Sequence, residues 1–454
     1  MKGPYKLIAL VLTLLLNMNS IYAQRGLTLQ ESKRLTLENN TSIKNGKLEI
    51  EAAKQTRKAA FTAYFPSISA IGAMFEADDN LMEMETHGGN LPVYDGNPAN
   101  LASATQFAYM PGSTMGLLKK GTIGNISAVQ PIFAGGRIIN GNKLAALGRD
   151  VSEDKNKLST DDALAKTEES YWLIVSLDEK HRTIMKYEEL LNSLYKQVDD
   201  AYNHGITSRN DLLKVKLKKT EVALNKSKLE NGMKLAKMAF CQHIGIPYDS
   251  SLVLTDTLAA QGVPESYYVD NTEALKLRTE YMLLQRSVRA EELKTNMKLG
   301  EYLPQAGIGV SGIYMKLDES KDRTLAMVYG TVQVPISGWW EASHTLKERS
   351  LQEQIAKNNL KENSELLTLQ MEKAWQDFSD SYKHYLMNED ALAQAEENLK
   401  VNQDSYDNGI ISVSDLLEAQ AMLQQARDQL TDAKADYRTK QIMYIKVTGR
   451  NIEK

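Results

Sequence analysis

A single cysteine, Cys241, stands in 454 residues, so no disulfide within the chain holds the fold together. Its place after Ala239 and Phe240 marks it as a small buried core residue and not a reactive thiol. Charge of one sign is also lacking: the formal balance is −4, which gives no argument for nucleic acid as a partner. Long apolar runs are missing apart from Leu7 to Leu16, and no other window approaches the roughly 18 residues that a spanning helix needs. No membrane-spanning helix is therefore expected, and any membrane insertion must use strands. With a mean hydropathy of −0.40 and 25% charged residues, the chain is too polar for a bundle of membrane helices yet apolar enough to fold. No nucleophile elbow, phosphate loop or His-Glu-x-x-His pair is found, so an enzyme is not expected and no cofactor or metal is implied. Met82, Met84, Met110, Met115 and His87 share one polar stretch. Soft ligands of this kind suit copper, but their scatter fixes no coordination geometry and surface exposure accounts for them.

What is present begins with an export signal. Lys2 and Lys6 precede the first apolar run, and Ile21-Tyr22-Ala23 offers a small residue for cleavage before Gln24. Residues 1–23 read as a secretory signal peptide, and no cysteine near the cleavage point could carry a lipid anchor.

The next feature is a duplication. Tyr202-Asn203-His204-Gly205-Ile206 followed by Asp211-Leu212-Leu213 recurs as Tyr406-Asp407-Asn408-Gly409-Ile410 followed by Asp415-Leu416-Leu417, an offset of 204. The same offset pairs Pro131-Ile132 with Pro335-Ile336. Upstream, Tyr64-Phe65-Pro66 pairs with Tyr302-Leu303-Pro304 at 238. The difference of 34 residues falls in a polar loop near 76–120 of the first repeat, whose counterpart near 316–324 is short. A repeat of this size changes every later inference.

Within each repeat the periodicity changes along the chain. Met371, Phe378, Tyr385, Leu392, Leu399 and Tyr406 fall at every seventh position, the spacing of helices that wind around neighbours. The whole helix predicted over 339–407 reaches about 100 Å. Past Gly409 the pattern restarts with Leu416, Leu423, Leu430, Tyr437 and Tyr444, and Ala419, Ala426 and Ala433 supply small residues for close approach. Gly205 and Gly409 fit the left-handed turn between two antiparallel helices. By contrast, Ala306, Ile308, Val310, Gly312 and Tyr314 recur at every second position, which predicts a strand.

These patterns predict a first repeat over 24–245, with a helix at 28–63, strands at 67–75 and 122–131, and helices at 136–203 and 208–244. A linker at 246–270 with little core of its own follows. The second repeat, 271–449, has a helix at 271–300, strands at 305–315 and 325–335, and helices at 339–407 and 412–447, leaving 450–454 as a tail. Tyr64, Phe65, Phe133, Tyr302, Trp339 and Trp340 flank the strand ends like the aromatic girdle of a membrane interface. Four strands cannot close a barrel, for which about eight is the practical minimum, and open edges cannot face lipid. Three copies would give twelve strands.

The Tyr-x-x-Gly-x-x-x-x-x-Asp-Leu-Leu element in both halves, the Tyr-x-Pro approaches to the strands, Gln130-Pro131-Ile132-Phe133-Ala134-Gly135-Gly136 and the terminal Gly449 together resemble the TolC-like outer membrane efflux proteins. The resemblance covers nearly the whole chain past the signal. It implies a mainly α fold with a small β-barrel in the membrane: a homotrimer with a twelve-stranded barrel in outer-membrane lipid, continued by a periplasmic α-helical barrel. It also implies a passive exit duct for efflux or type I secretion, met by a periplasmic adaptor protein and an inner-membrane pump of RND, ABC or MFS type. The family's periplasmic gate maps onto Tyr406, Asp415 and Glu418, with Asp211 as a latch acid. Ile411 stands where the family has an arginine, and Arg209 of the neighbouring hairpin is the candidate replacement. The adaptor-docking tip maps onto Gly205, Ile206 and Thr207 and onto Gly409, Ile410 and Ser412. The rival reading is a soluble periplasmic coiled-coil scaffold, which explains the heptads but not the strands or the aromatics.

Overall fold

The computed structural model describes residues 26–93, 106–117, 119–259, 262–317 and 321–452; the expected signal peptide lies outside them. In chain order the elements are β1 (Gly26–Leu27), α1 (Leu29–Asn39), α2 (Thr41–Phe61), β2 (Ser67–Glu76), β3 (Met82–Thr86), β4 (Gly89–Pro92), β5 (Phe107–Met110), β6 (Ser113–Leu117), β7 (Lys120–Ala134), α3 (Arg137–Asn203) and α4 (Arg209–Ile244). Then follow β8 (Val253–Leu254), α5 (Asn271–Leu277), α6 (Thr279–Glu301), β9 (Gln305–Leu317), β10 (Arg323–Gln333), α7 (Trp339–Asp407) and α8 (Val413–Val447). No described helix is long and apolar enough to cross a membrane. The chain forms two compact units, one of residues up to Lys54 with Leu147–Arg289 and Ile355 onward, the other of Gln55–Ala146 with Ala290–Gln354.

The first unit is helical, and its core follows the heptads. Ile184, Leu191 and Val198 of α3 are buried with Leu212, Val215 and Val222 of α4 and with Val413, Leu416 and Leu417 of α8. A second cluster sets Phe378 of α7 against Tyr437 and Tyr444 of α8, with ring centroids 5.3 and 5.9 Å apart. Cys241 is buried beside Phe240 and Trp172, and burial pushes its thiol pKa up, as expected of a core residue.

Three expectations need correction here. The helix predicted over 28–63 is two helices, because Asn40 takes an extended ψ of 130° and its side chain caps the second helix, accepting from Ser42 N at 2.9 Å. The helix predicted over 271–300 is likewise broken, at Arg278, which is extended at ψ 127° and buried, its guanidinium bonded to Gln370 at 2.9 Å. Apolar periodicity runs through both breaks, so it could not reveal them. The 246–270 segment is also more than a linker. Leu252 and Leu258 are buried with Tyr171 and Trp172, β8 pairs in parallel with β1, and Asp256 accepts from Leu29 N at 2.7 Å and from Tyr171 Oη at 2.9 Å.

The two breaks receive the ends of other helices. Gly245, in the left-handed region at φ 72°, terminates α4 so close to α1 that a Cβ would lie 2.5 Å from Asn39 Cβ. Gly449, at φ 70°, terminates α8 against Leu277, whose backbone a Cβ would meet at 2.9 Å. Gly205 and Gly409 share the left-handed φ, at 74° and 72°, but a Cβ there would meet nothing. Alanine at 205 or 409 should therefore cost only the left-handed strain, about 1–2 kcal/mol. Gly245→Ala and Gly449→Ala add an overlap and should lower the thermal midpoint further, which thermal unfolding of the four variants in detergent would rank.

The second unit is built on an antiparallel sheet of order β10-β9-β7-β2. Ser67 pairs with Val129 and Glu76 with Lys120; Gly121 pairs with Leu317 and Ala134 with Gln305; Gln333 closes the register on Gln305. Pro131 sits in a central strand, where its missing N–H is accommodated by a bulge between Pro131 and Phe133. The stretch near 76–120 is not the plain loop expected of its composition, because β3 pairs with β6 and β4 with β5. That register sets Met84 opposite Met115.

Candidate functional site

Two regions carry the residues singled out by the sequence. The first is the pair of helical turns. Each ends its incoming helix with the same two bonds: Gly205 N donates to Tyr202 O at 2.9 Å and Ile206 N to Ala201 O at 2.8 Å, while Gly409 N donates to Tyr406 O and Ile410 N to Ser405 O, both at 2.9 Å. Ile206 and Ile410 are left exposed beyond them. The outgoing helices start with the same cap. Ser208 Oγ accepts from Asp211 N at 3.2 Å, and Ser412 Oγ accepts from Asp415 N at 3.3 Å. Asp415 Oδ2 in return accepts from Ser412 N at 3.0 Å, completing a capping box.

Both acids are thus held by serines. The Ser208 hydroxyl, 2.7 Å from Asp211 Oδ2, keeps that carboxyl below its ordinary pKa, with Thr207 adding a contact at 3.2 Å. The Ser412 hydroxyl does the same for Asp415 at 2.7 Å. Tyr406 is half-buried against the helical core, and burial, then the charge of Asp211, push its phenol pKa up. Tyr406 and Asp211, from different hairpins, therefore do come together, while Glu418 is exposed one turn beyond Asp415.

Arg209 is exposed and makes no ion pair among the described residues. The cation at this site is Lys214, which sequence reasoning missed. Its Nζ lies 4.0 Å from Asp211 Oδ1 and 2.5 Å from Ser414 Oγ of the other hairpin, and its charge also favours the ionised form of Asp415. A signal existed: Lys214 lies 204 residues before Glu418, so the corresponding positions carry opposite charges.

The second region is the four-stranded sheet. Alternation and register assign every residue to a face. One face carries Ile68, Ala70 and Met74 of β2, Ile126 and Ala128 of β7, Ile308, Val310 and Tyr314 of β9, and Ala326, Val328 and Val332 of β10. Charge appears on it only at one end, at Glu76, Lys120 and Lys316. From Ala306 to Tyr314 the uncharged band runs about 27 Å along the strand. The other face is mixed: Ser69, Asn125, Ser127 and Ser311 form a polar patch among Ile71, Ile313, Leu325 and Met327, with Ser69 Oγ 3.1 Å from Ser127 Oγ and Ser311 Oγ donating to Asn125 Oδ1 at 2.6 Å.

The six flanking aromatics all belong to the sheet end away from those charges, because Ser67, Ala134, Gln305 and Gln333 are terminal there. Tyr64, Phe65, Phe133, Trp339 and Trp340 are exposed. Tyr302 is buried instead; its hydroxyl donates to Glu341 at 3.0 Å and its carbonyl accepts from Trp339 Nε1 at 2.8 Å. No group of His, Cys, Asp or Glu among the described residues could hold a metal ion.

Comparison with known proteins identifies this architecture. Residues 301–450 match the family model described as outer membrane efflux protein. No curated protein matches by sequence. Among solved structures, the chain is similar to the CmeC outer membrane channel of Campylobacter jejuni (TM-score 0.73, 15% identity, covering 93% of this chain and 85% of that one). It is also similar to the outer membrane protein VceC of Vibrio cholerae (TM-score 0.72, 12% identity, 93% and 96% covered). The open state of the MtrE outer membrane channel of Neisseria gonorrhoeae gives a TM-score of 0.73 at 14% identity, with 93% and 89% covered. The resemblance to TolC-like outer membrane efflux proteins therefore holds: residues 301–450 match the outer membrane efflux protein model, and the fold is similar to that of solved outer-membrane channel proteins over most of the chain.

Proposed function

We propose that the chain is one subunit of a homotrimeric outer-membrane channel, a gated passive exit duct working with a periplasmic adaptor and an inner-membrane pump, in tripartite efflux or type I secretion. The observation that carries this is the sheet: one face uncharged and mostly apolar for about 27 Å, the other carrying a central patch of Ser69, Ser127, Ser311 and Asn125, and β2 and β10 each with one edge unpaired among the described residues. Unpaired edges cannot face lipid, so the strands must continue in other copies, and three copies supply twelve. The apolar face then meets the membrane and the serine face the lumen. Tyr64, Phe65, Phe133, Trp339 and Trp340 would sit at one membrane boundary, and the long helices would continue the conduit into the periplasm, after export directed by residues 1–23.

The internal duplication belongs to the same reading. The breaks at Asn40 and Arg278 and the strand starts at Ser67 and Gln305 all differ by 238, while the caps Ser208 and Ser412 and the end glycines Gly245 and Gly449 differ by 204. At the tips, Asp415 and Glu418 from three copies ring the aperture, with Tyr406, Asp211 and Lys214 linking neighbouring hairpins. Exposed Ile206 and Ile410 offer the adaptor an apolar contact. Membrane fractionation tests the whole: the chain should remain with the outer membrane and behave as a trimer in detergent, and recovery as a soluble monomer, the coiled-coil scaffold outcome, overturns it.

The gate has its own test in planar bilayers. A ring of carboxylates favours cations, so Asp211→Asn with Asp415→Asn should lower the cation-to-anion permeability ratio by a factor on the order of several-fold. Unaltered conductance and selectivity would remove both residues from the aperture. Because serine hydroxyls hold both carboxyls below the ordinary value of about 3.9, the preference should persist through pH 5 and fade only below about pH 4. Stability follows the same sign: these caps contribute fully above the unfolded-state pKa and lose their contribution as pH falls through the lower folded-state value.

A further inference from the structure

We propose that Met82, Met84 and Met115, on one face of the paired strands β3 and β6, form a thioether site for a soft monovalent cation, Ag(I) or Cu(I). The site lies within one copy of the chain, so it stands or falls apart from the channel reading above.

Residues 76–120 are polar in composition, yet four of the chain's 18 methionines, Met82, Met84, Met110 and Met115, fall within them. The strand pair gives three of these a common place. Met84 pairs directly with Met115 in the antiparallel register, and Met82 pairs with Leu117. Side chains alternate between faces along a strand, so Met82 and Met84 share the face on which Met115 stands. Directly opposed Cα atoms lie about 4.5–5.5 Å apart, and those two residues along a strand about 7 Å. A methionine side chain has three rotatable bonds, so three sulfurs placed in this way can close on one ion without moving the backbone.

Packing within the chain does not account for them. Met82, Met84 and Met115 are 55%, 57% and 63% exposed. Single apolar residues on a surface are ordinary, but three of one type on one face of two short paired strands are not scattered singles. Valine or isoleucine would suit an exposed strand better. What methionine adds is a sulfur.

The chemistry of the ligands selects the ion. Thioether sulfur is neutral and soft, so it favours Cu(I) and its analogue Ag(I) over calcium and magnesium, which take oxygen ligands, and over zinc, whose sites are built from thiolate, imidazole and carboxylate. Glu83 and Glu85 alternate to the opposite face, and neither strand carries a lysine or arginine, so the local charge favours a cation. His87 lies beyond the end of β3 and is outside the set. Met110 belongs to β5 and pairs with Gly89, so no thioether stands opposite it.

The experiment titrates silver nitrate, in chloride-free buffer, into the full chain extracted in detergent, with calorimetry as the readout. Wild-type protein should bind one more silver ion per chain than the Met84→Leu, Met115→Leu double variant, and each single substitution should weaken that site by about tenfold or more. Leucine keeps the volume and apolar character of methionine, so the strand pair should fold in every variant. Cys241 is common to all of them and drops out of the difference. Met110→Leu should leave the isotherm unchanged, and excess zinc nitrate should not displace the silver. Identical isotherms for wild type and the double variant, an equal loss from Met110→Leu, or displacement by zinc would overturn the site and leave the channel reading standing.

Discussion

Val310→Arg should abolish recovery of the chain in the outer membrane, whereas Ser311→Arg, one residue further along the same strand, should leave it largely in place. The two side chains point to opposite faces of β9. Val310 stands in a cross-strand row with Ile68, Ala128 and Val328, none of which offers a counter-charge. A charged residue at the middle of a lipid-facing strand costs about 2–4 kcal/mol, and the proposed trimer would bear that cost in each copy. Ser311 stands in a row with Ser69, Ser127 and Met327 and bonds to Asn125, so polar side chains on one side of it can solvate a guanidinium. Quantitative immunoblotting of washed outer membranes measures both. Equal loss from the two variants would mean that the faces do not differ, and equal retention would mean that β9 does not contact lipid.

Gly135→Ala should be the most damaging single-methyl change in the molecule. The chain leaves β7 and enters α3 through Gly135 and Gly136, at φ 62° and 78°. At Gly135 a Cβ would lie 2.2 Å from Gly300 O, and at Gly300 a Cβ would lie 2.4 Å from Gly135 O, so two backbones cross with no space for a side chain. The left-handed strain of about 1–2 kcal/mol is therefore joined by a steric conflict, for a total on the order of 3 kcal/mol or more. Gly136→Ala provides the control: its nearest neighbour would be Asn140 Nδ2 at 3.6 Å, so it should cost the strain alone. Thermal unfolding of detergent-extracted protein should place the Gly135 variant well below the Gly136 variant; overlapping midpoints would show that the crossing relaxes freely.

Much of this was legible in the residues because the periodicities are long. Heptads sustained from Met371 to Tyr406 and again from Leu416 to Tyr444 have few interpretations, and β9 alternates cleanly enough to read its apolar face. The helix breaks were not legible. Asn40 and Arg278 interrupt no apolar pattern, and each break is stabilised by distant partners, His243 O for Asn40 and Gln370 for Arg278. The core of 246–270 was hidden for the same reason: Leu252 and Leu258 are isolated apolar residues whose partners lie scores of positions away. At the turns, the acids and the tyrosine were found through their repetition. Lys214 was overlooked because it breaks the repetition, standing where the second half has Glu418. The hairpins between Glu76 and Lys120 escaped notice because turn-forming residues dilute strands only four or five residues long.

The turns at Gly205 and Gly409 are bonded on both sides, by closing backbone pairs on the incoming helix and by serine caps on the outgoing one. A turn tied in this way moves as one solid piece and has no slack of its own. In the proposed channel, any widening of a passage at these turns would then come from the helices that lead to them, by a change in how they wind around one another. Residues that set the passage width would then include apolar positions remote from the rim, such as Leu191 and Leu423, whose packing fixes that winding.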